Sequence, residues 1–213
     1  MAGIDAYTKL KLHLDNNVTD SELTPKTVTN NNVTFSDIIK KFGTHAGYFN
    51  GTNSELTISP GFVPGSGDYT VDLWVYTTAF PTQNRVICSN YPGGVSTFML
   101  FFATNTIYFY SGLNAVASSN ILVLNTWYHI ACVRYNEIIT LYVNGISKGS
   151  TSSSDNITIP IIYIGAAEET YYFPGYLDEI RFSSKACWTS EFTPPTIAYS
   201  RDSKPRSYAT III

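Results

Sequence analysis

Charge is scarce in this sequence. Asp, Glu, Lys and Arg make up only 14% of its 213 residues and sum to −3. No basic run extends beyond Lys40-Lys41. A nucleic-acid-binding surface needs clustered positive charge, so that partner class is excluded. No stretch approaches the roughly 18 consecutive apolar residues of a membrane-spanning helix. The segment from Met1 to Asn17 lacks a cationic start followed by an apolar run, so no secretory leader is expected. Cysteine is sparse too. Cys88, Cys132 and Cys187 are odd in number and far apart, and free buried thiols are expected rather than a disulfide or a metal site. No Gly-x-Ser-x-Gly elbow supports a serine nucleophile. His13 and His45 have no Cys or carboxylate at metal-site spacing.

Aromatic residues are abundant instead. They form 15% of the chain, with 16 Tyr and 12 Phe. Aromatic and β-branched residues suit pleated, half-buried strands. A chain of this length buries roughly 70% of its unfolded surface and needs no disulfide staples.

The stretch from Asn125 to Gly149 organises the rest. WYHIACVRY carries apolar side chains on both parities, the pattern of a strand covered on both faces. A turn at Asn136-Glu137 leads into IITLYV. Asn144-Gly145 then gives the strongest hairpin signal, since a type I′ turn needs φ > 0 at both central residues. This meander is expected at the centre of a sheet. LKLHL alternates apolar and polar residues. AGYFNG and ELTIS read as a hairpin around Gly51-Thr52-Asn53. YTVDLWVYT, RVICSN, TFMLFFA, NTIYFYS, IPIIYIG and YLDEIRFS follow at short, punctuated intervals. Many short strands of this kind mean an all-β sandwich or barrel. A single helical turn is expected at residues 36–41, with Ser36 as its cap. One domain spans residues 1–200, and a polar tail ending in Ile211, Ile212 and Ile213 occupies 201–213. An apolar end wants cover, so these isoleucines are candidate assembly contacts with other subunits or a second copy.

Several side chains stand out. Asp178 lies in an otherwise apolar strand, where an unpaired carboxylate is costly. Backbone N–H groups, Arg181 or Arg134 would satisfy it. His129 has apolar neighbours by parity and reads as a buried, hydrogen-bonded core histidine. Tyr91, Tyr171, Tyr172 and Phe173 fall in loops and are candidate ring faces for sugar. Trp188 is expected to staple the closing segment to the sandwich, with Trp74 and Trp127 in the core.

KFGTHAGYFNG, YTVDLWVY, NTWYHIACVRYNEIITLYVNG, IIYIG and FPGYLDEIRFSSKACWTSEFTPP occur in the order that resembles laminin-G-like members of the concanavalin A-like lectin/glucanase superfamily. The resemblance covers residues 7 to 196. It implies a jelly-roll sandwich of two antiparallel sheets. It also implies a structural calcium bound by Asp15, Asn50 and Asp178 with backbone carbonyls and water. The glycoside hydrolases of that superfamily carry alternating acids on one strand. No such triplet occurs here. Asp178 and Glu179 are adjacent, which on a regular strand sends their side chains to opposite faces. A non-enzymatic protein is therefore expected. The first functional expectation is a virion structural protein of a phage capsid or tail, located on the virion and touching other virion subunits and cell-surface glycan. The second is a free carbohydrate-binding module, and the third a glycoside hydrolase.

Overall fold

The computed structural model describes residues 4–80, 84–90, 98–118, 121–167 and 171–200. Among these residues the regular elements are seventeen strands. The first six are β1 (Thr8–Leu12), β2 (Thr27–Asn31), β3 (Thr34–Ser36), β4 (Ala46–Asn50), β5 (Glu55–Ser59) and β6 (Phe62–Gly65). Next come β7 (Tyr69–Thr77), β8 (Arg85–Ser89), β9 (Phe98–Ala103), β10 (Thr106–Ser111) and β11 (Asn114–Ala117). The last are β12 (Trp127–Tyr135), β13 (Ile138–Val143), β14 (Ile146–Ser152), β15 (Ile157–Ile159), β16 (Ile162–Ile164) and β17 (Pro174–Ser183).

They build two antiparallel sheets packed face to face. The first has the order β14-β13-β12-β7-β17-β4-β3, with β1 also on β17. The second runs β11-β10-β9-β8-β16-β5-β2. A small β15-β6 pair stands apart. Alternation sets which side chains meet between the sheets. Val71, Leu73 and Val75 of β7 point inward, as do Leu10 and Leu12 of β1 and Ile107 and Phe109 of β10. All belong to one core.

The meander is present, with type I′ geometry at both turns. Asn136 and Glu137 have φ of 47° and 63°, and Asn144 and Gly145 have 50° and 78°. It does not lie at the sheet centre, however. β7 holds that place and β14 is the terminal strand. The expected hairpin of AGYFNG and ELTIS is also corrected. β4 belongs to the first sheet and β5 to the second, so residues 51–54 turn a corner between the layers. Both segments alternate well, but alternation does not say which sheet a strand joins. At residues 36–41 the cap forms without the helix. Ser36 Oγ accepts from the amides of Ile38 and Ile39 at 3.3 and 3.0 Å. The next amides, of Lys41 and Phe42, donate to Asp178 at 2.9 and 3.0 Å. The segment is bound to the sheet rather than to itself.

Past β17, residues 184–200 form a strap across the outer face of the first sheet. Thr70 Oγ1 donates to the Lys185 carbonyl at 2.8 Å and accepts from the Cys187 amide at 2.9 Å. Phe192 N donates to the Gly145 carbonyl, and Ile4 N to the Ser200 carbonyl, at 3.0 and 2.9 Å. The tail of 201–213, with Ile211, Ile212 and Ile213, lies outside the described residues, as does Tyr91.

Candidate functional site

The outer face of the second sheet carries two rows of side chains that run across its strands. In one row Ala115, Tyr110, Met99, Ser89, Tyr163, Thr57 and Thr29 are successive register partners. In the next, Ala117, Tyr108, Phe101 and Val86 are partners. Neighbouring strands lie about 4.8 Å apart, so the longer row spans about 29 Å. One end is aromatic and the other carries hydroxyls. Phe101 stacks between Tyr108, at 5.0 Å and 10°, and Tyr110, at 5.6 Å and 20°. Phe101 is buried, while Met99, Tyr108 and Tyr110 remain half-buried. Rings stacked face against face make a fixed aromatic ridge, with polar tips at Tyr108 and Tyr110.

Of the expected sugar contacts, Tyr171 packs against this cluster. The Val86 amide donates to the Tyr171 carbonyl at 3.0 Å and fixes it there. Tyr172 is half-buried beside it. Phe173 is corrected. It is fully buried, edge-on to Phe49 and Phe102 at 6.1 and 5.9 Å, and presents no face to a ligand. Its amide donates to the Gly165 carbonyl at 2.8 Å and turns the ring inward just before β17. Loop composition hid this. Tyr108, Tyr110, Phe101 and Met99 were missed, although Tyr108 and Tyr110 share a parity opposite to the core residues Ile107 and Phe109.

The outer face of the first sheet is chemically different. It holds buried ions under the strap. Asp72 accepts from Arg181 Nε at 2.8 Å, faces His129 Nε2 at 3.3 Å and accepts from the Tyr199 hydroxyl. Burial opposes ionisation of Asp72, but Arg181, His129 and Tyr199 outweigh it and hold the carboxyl below its usual range. Glu179 meets Lys11 Nζ at 2.5 Å, His13 Nδ1 at 2.6 Å and the Tyr199 amide at 3.0 Å. Burial opposes its charge too, and His13 and Lys11 restore it. His129 is a buried core histidine, as expected, and Trp188 staples the strap to β12 by meeting the His129 ring edge-on at 5.7 Å.

The expected opposite facing of Asp178 and Glu179 is overturned by a β-bulge. Asp178 pairs with Trp74 and Arg181 with Asp72, so β17 spends one residue more than β7 over that span. Glu179 takes up the extra residue at φ 52°. Both acids therefore lie on the outer side, Asp178 against the 41–42 amides and Glu179 against Lys11. Burial pushes the Asp178 carboxyl up to about 7, although the Phe42 and Lys41 amides oppose the rise.

The three expected calcium ligands do not converge. Asp15 Oδ1 accepts from the amides of Thr44 and His45 at 2.5 and 2.9 Å. Asn50 Oδ1 accepts from Thr52 and Asn53 within its own turn, at 2.9 and 3.0 Å. Asn50 pairs with Pro174, four residues and so about 13 Å along β17 from Asp178. Among the described residues no group of three or more His, Cys, Asp or Glu is placed to hold a metal ion. Of the three, Asp178 alone keeps a buried oxygen, Oδ1, without a hydrogen-bond partner among the described residues.

A two-sheet sandwich with an aromatic outer face defines a lectin-like class, and sequence comparison agrees. A family model described as the concanavalin A-like lectin/glucanases superfamily matches residues 50–191, and the chain belongs to that superfamily. Within it the chain is laminin-G-like. No curated protein matches the sequence. Domain 4 of AbnA, a GH43 extracellular arabinanase from Geobacillus stearothermophilus, solved with arabinotriose, is similar in structure. Its TM-score is 0.66 at 20% identity, covering 84% of this chain and 93% of that one. A botulinum neurotoxin type C structure, described as dependent for cell entry on two ganglioside molecules, matches with TM-score 0.67 at 10% identity over 84% of this chain. The binding domain of botulinum neurotoxin DC, solved with rat synaptotagmin II, matches with TM-score 0.67 at 11% identity. This chain covers 48% of each neurotoxin chain.

Proposed function

We propose that this protein is a non-catalytic carbohydrate-binding module that lays a neutral glycan across the outer face of its second sheet. The stacked Tyr108, Phe101 and Tyr110 carry the reading. The half-buried Tyr108 and Tyr110 suit the C–H groups and hydroxyls of sugars, and Tyr163, Thr57 and Thr29 continue the track with hydroxyls. Neither row contains a carboxylate. On the first sheet Asp72 and Glu179 are covered and paired and Asp178 is covered, whereas glycoside hydrolysis needs two accessible acids about 5–10 Å apart across the bond. The arabinotriose bound to the arabinanase domain and the gangliosides of the neurotoxin support a carbohydrate ligand, and arabinotriose is a neutral one. A glycan array probed with the full chain is expected to give hits among neutral oligosaccharides. Tyr108→Ala should weaken them about fivefold or more, since a stacked ring contributes on the order of 1 kcal/mol or above. Hits untouched by Tyr108→Ala would remove this face as the site.

The virion is the proposed setting, supported by the polar, Tyr-rich composition and low charge. Light scattering tests it: the full chain should form an oligomer that dissociates when residues 205–213 are deleted, and a monomeric full chain counts against it. Among the described residues no helix is long and apolar enough to cross a membrane. Calcium enters the proposal at one atom, Asp178 Oδ1, the buried oxygen described above.

A further inference from the structure

A further row of rings crosses the outer face of the first sheet. Tyr48 of β4, Tyr176 of β17, Tyr76 of β7 and Trp127 of β12 are successive register partners. Each stands next in sequence to a residue packed in or against the core, namely Phe49, Leu177, Val75 and Tyr128. Alternation therefore turns all four rings outward. Trp127, expected in the core, is corrected here: it is half-buried on this face, as are the three tyrosines. Three strand spacings make the row about 14 Å long. Tyr76 stands four residues along β7 from Asp72, so the row lies about 13 Å from the ion pair under the strap.

The rings hold one another. Tyr48 meets Tyr176 at 4.9 Å and 39°, Tyr176 meets Tyr76 at 5.7 Å and 82°, and Tyr76 meets Trp127 at 5.4 Å and 55°. Rings tilted in this way leave wedges between neighbours, which suit branched aliphatic side chains. The row itself contains no charge. Its three hydroxyls and one indole N–H can donate to the backbone carbonyls of an extended guest, which need partners once covered.

The chain carries a segment of that kind. Residues 208–213 are Tyr-Ala-Thr-Ile-Ile-Ile, uncharged, with four β-branched side chains. Extended, six residues span about 17 Å, close to the length of the row. The segment also departs from the right face. The Tyr199 amide donates to Glu179 at 3.0 Å, and Glu179 is three residues along β17 from Tyr176, about 10 Å. Residues 201–207 reach up to about 24 Å beyond Ser200. Exit point and row share one outer face, so two copies brought together on this face can each lend a segment to the other and close a two-fold pair.

We propose that the Tyr48–Tyr176–Tyr76–Trp127 row is the seat for residues 208–213 of a second copy of this chain, in a reciprocal dimer. This rests on the reading of the tail as an assembly contact and supplies the surface that receives it.

Light scattering on the full chain should give a dimer. Two full-length variants should each be monomeric: Tyr176→Ala, which breaks the row, and the combined replacement of Ile211, Ile212 and Ile213 by Ser, which spares it. Mixed one to one, they should associate again, because one keeps the segment and the other the row. A synthetic peptide of residues 201–213 should bind the isotope-labelled triple-Ser variant, shifting the backbone amide signals of Tyr48, Tyr76 and Tyr176 and the indole signal of Trp127. This titration leaves the row intact, so it stands even if Tyr176→Ala folds poorly. Adding Tyr176→Ala to the triple-Ser variant should weaken peptide binding about tenfold or more. If the triple-Ser variant is monomeric but Tyr176→Ala remains dimeric, or the peptide leaves all four signals unmoved, the row is not the seat and the assembly reading survives without it. A monomeric full chain overturns both, and row signals that then respond to the Ser replacements would place the segment on its own chain.

Discussion

Replacing Asp72 by Ala is expected to destabilise the fold by about 3–5 kcal/mol, the cost of stranding a buried charge. Asp72 is fully buried and is shared by Arg181, His129 and the Tyr199 hydroxyl. Its loss leaves the Arg181 guanidinium, itself 1% exposed, without its carboxylate partner. It also removes the acceptor of the Tyr199 hydroxyl, one of the two bonds by which Tyr199 ties the strap to the sheet. Two measurements follow from one variant. Chemical denaturation should give the stability loss, and limited proteolysis should show new cleavage within 184–200. A double replacement, Asp72→Leu with Arg181→Met, should recover much of the loss, because removing both ions also removes the desolvation cost. A single variant that loses less than about 1 kcal/mol would mean the ion pair does not anchor the strap.

Asp178→Asn is expected to act in the opposite direction, and only above acidic pH. Burial raises the folded carboxyl from 3.8 to about 7. Below pH of about 4 both folded and unfolded chains carry the proton, and the group costs nothing. Between about 4 and 7 the folded chain keeps a proton that the unfolded chain has lost, so stability falls as pH rises. Above 7 the full penalty applies, on the order of 4 kcal/mol. Asparagine keeps an oxygen for the Lys41 and Phe42 amides but carries no charge. In EDTA, the variant should melt several degrees higher than the wild type at pH 8 and alongside it at pH 4. Superimposable pH profiles would show that Asp178 is not ionised against its surroundings. Calcium belongs to the same experiment. Bound at Oδ1, it would raise the wild-type melting temperature at pH 8 and leave Asp178→Asn unmoved; a wild type indifferent to both calcium and EDTA rules the ion out.

The layers of this sandwich were legible because strands announce themselves by period. Val71, Leu73 and Val75 alternate with Thr70, Asp72 and Trp74, and Asn144-Gly145 marks its own turn. What the period cannot carry is partnership. It cannot tell that β4 and β5 part company at Asn50, or that β7 rather than the meander takes the middle. A bulge is equally silent in sequence. One extra residue at Glu179 reverses the facing of an acid and so changes the argument about a catalytic pair. The candidate site suffered from a related blindness. Loop aromatics drew attention to Phe173, which the fold buries. The exposed rings sit on strands, at Tyr108 and Tyr110, where aromatic residues are usually read as core.

Ile4 and Ser200 meet through a backbone hydrogen bond of 2.9 Å. A fold whose entry and exit lie side by side can be spliced into a surface loop of a host protein without stretching that host. It can equally be closed with a short linker and reopened elsewhere. The geometry makes this sandwich a cassette, and the outer face of the second sheet would stay clear of the splice.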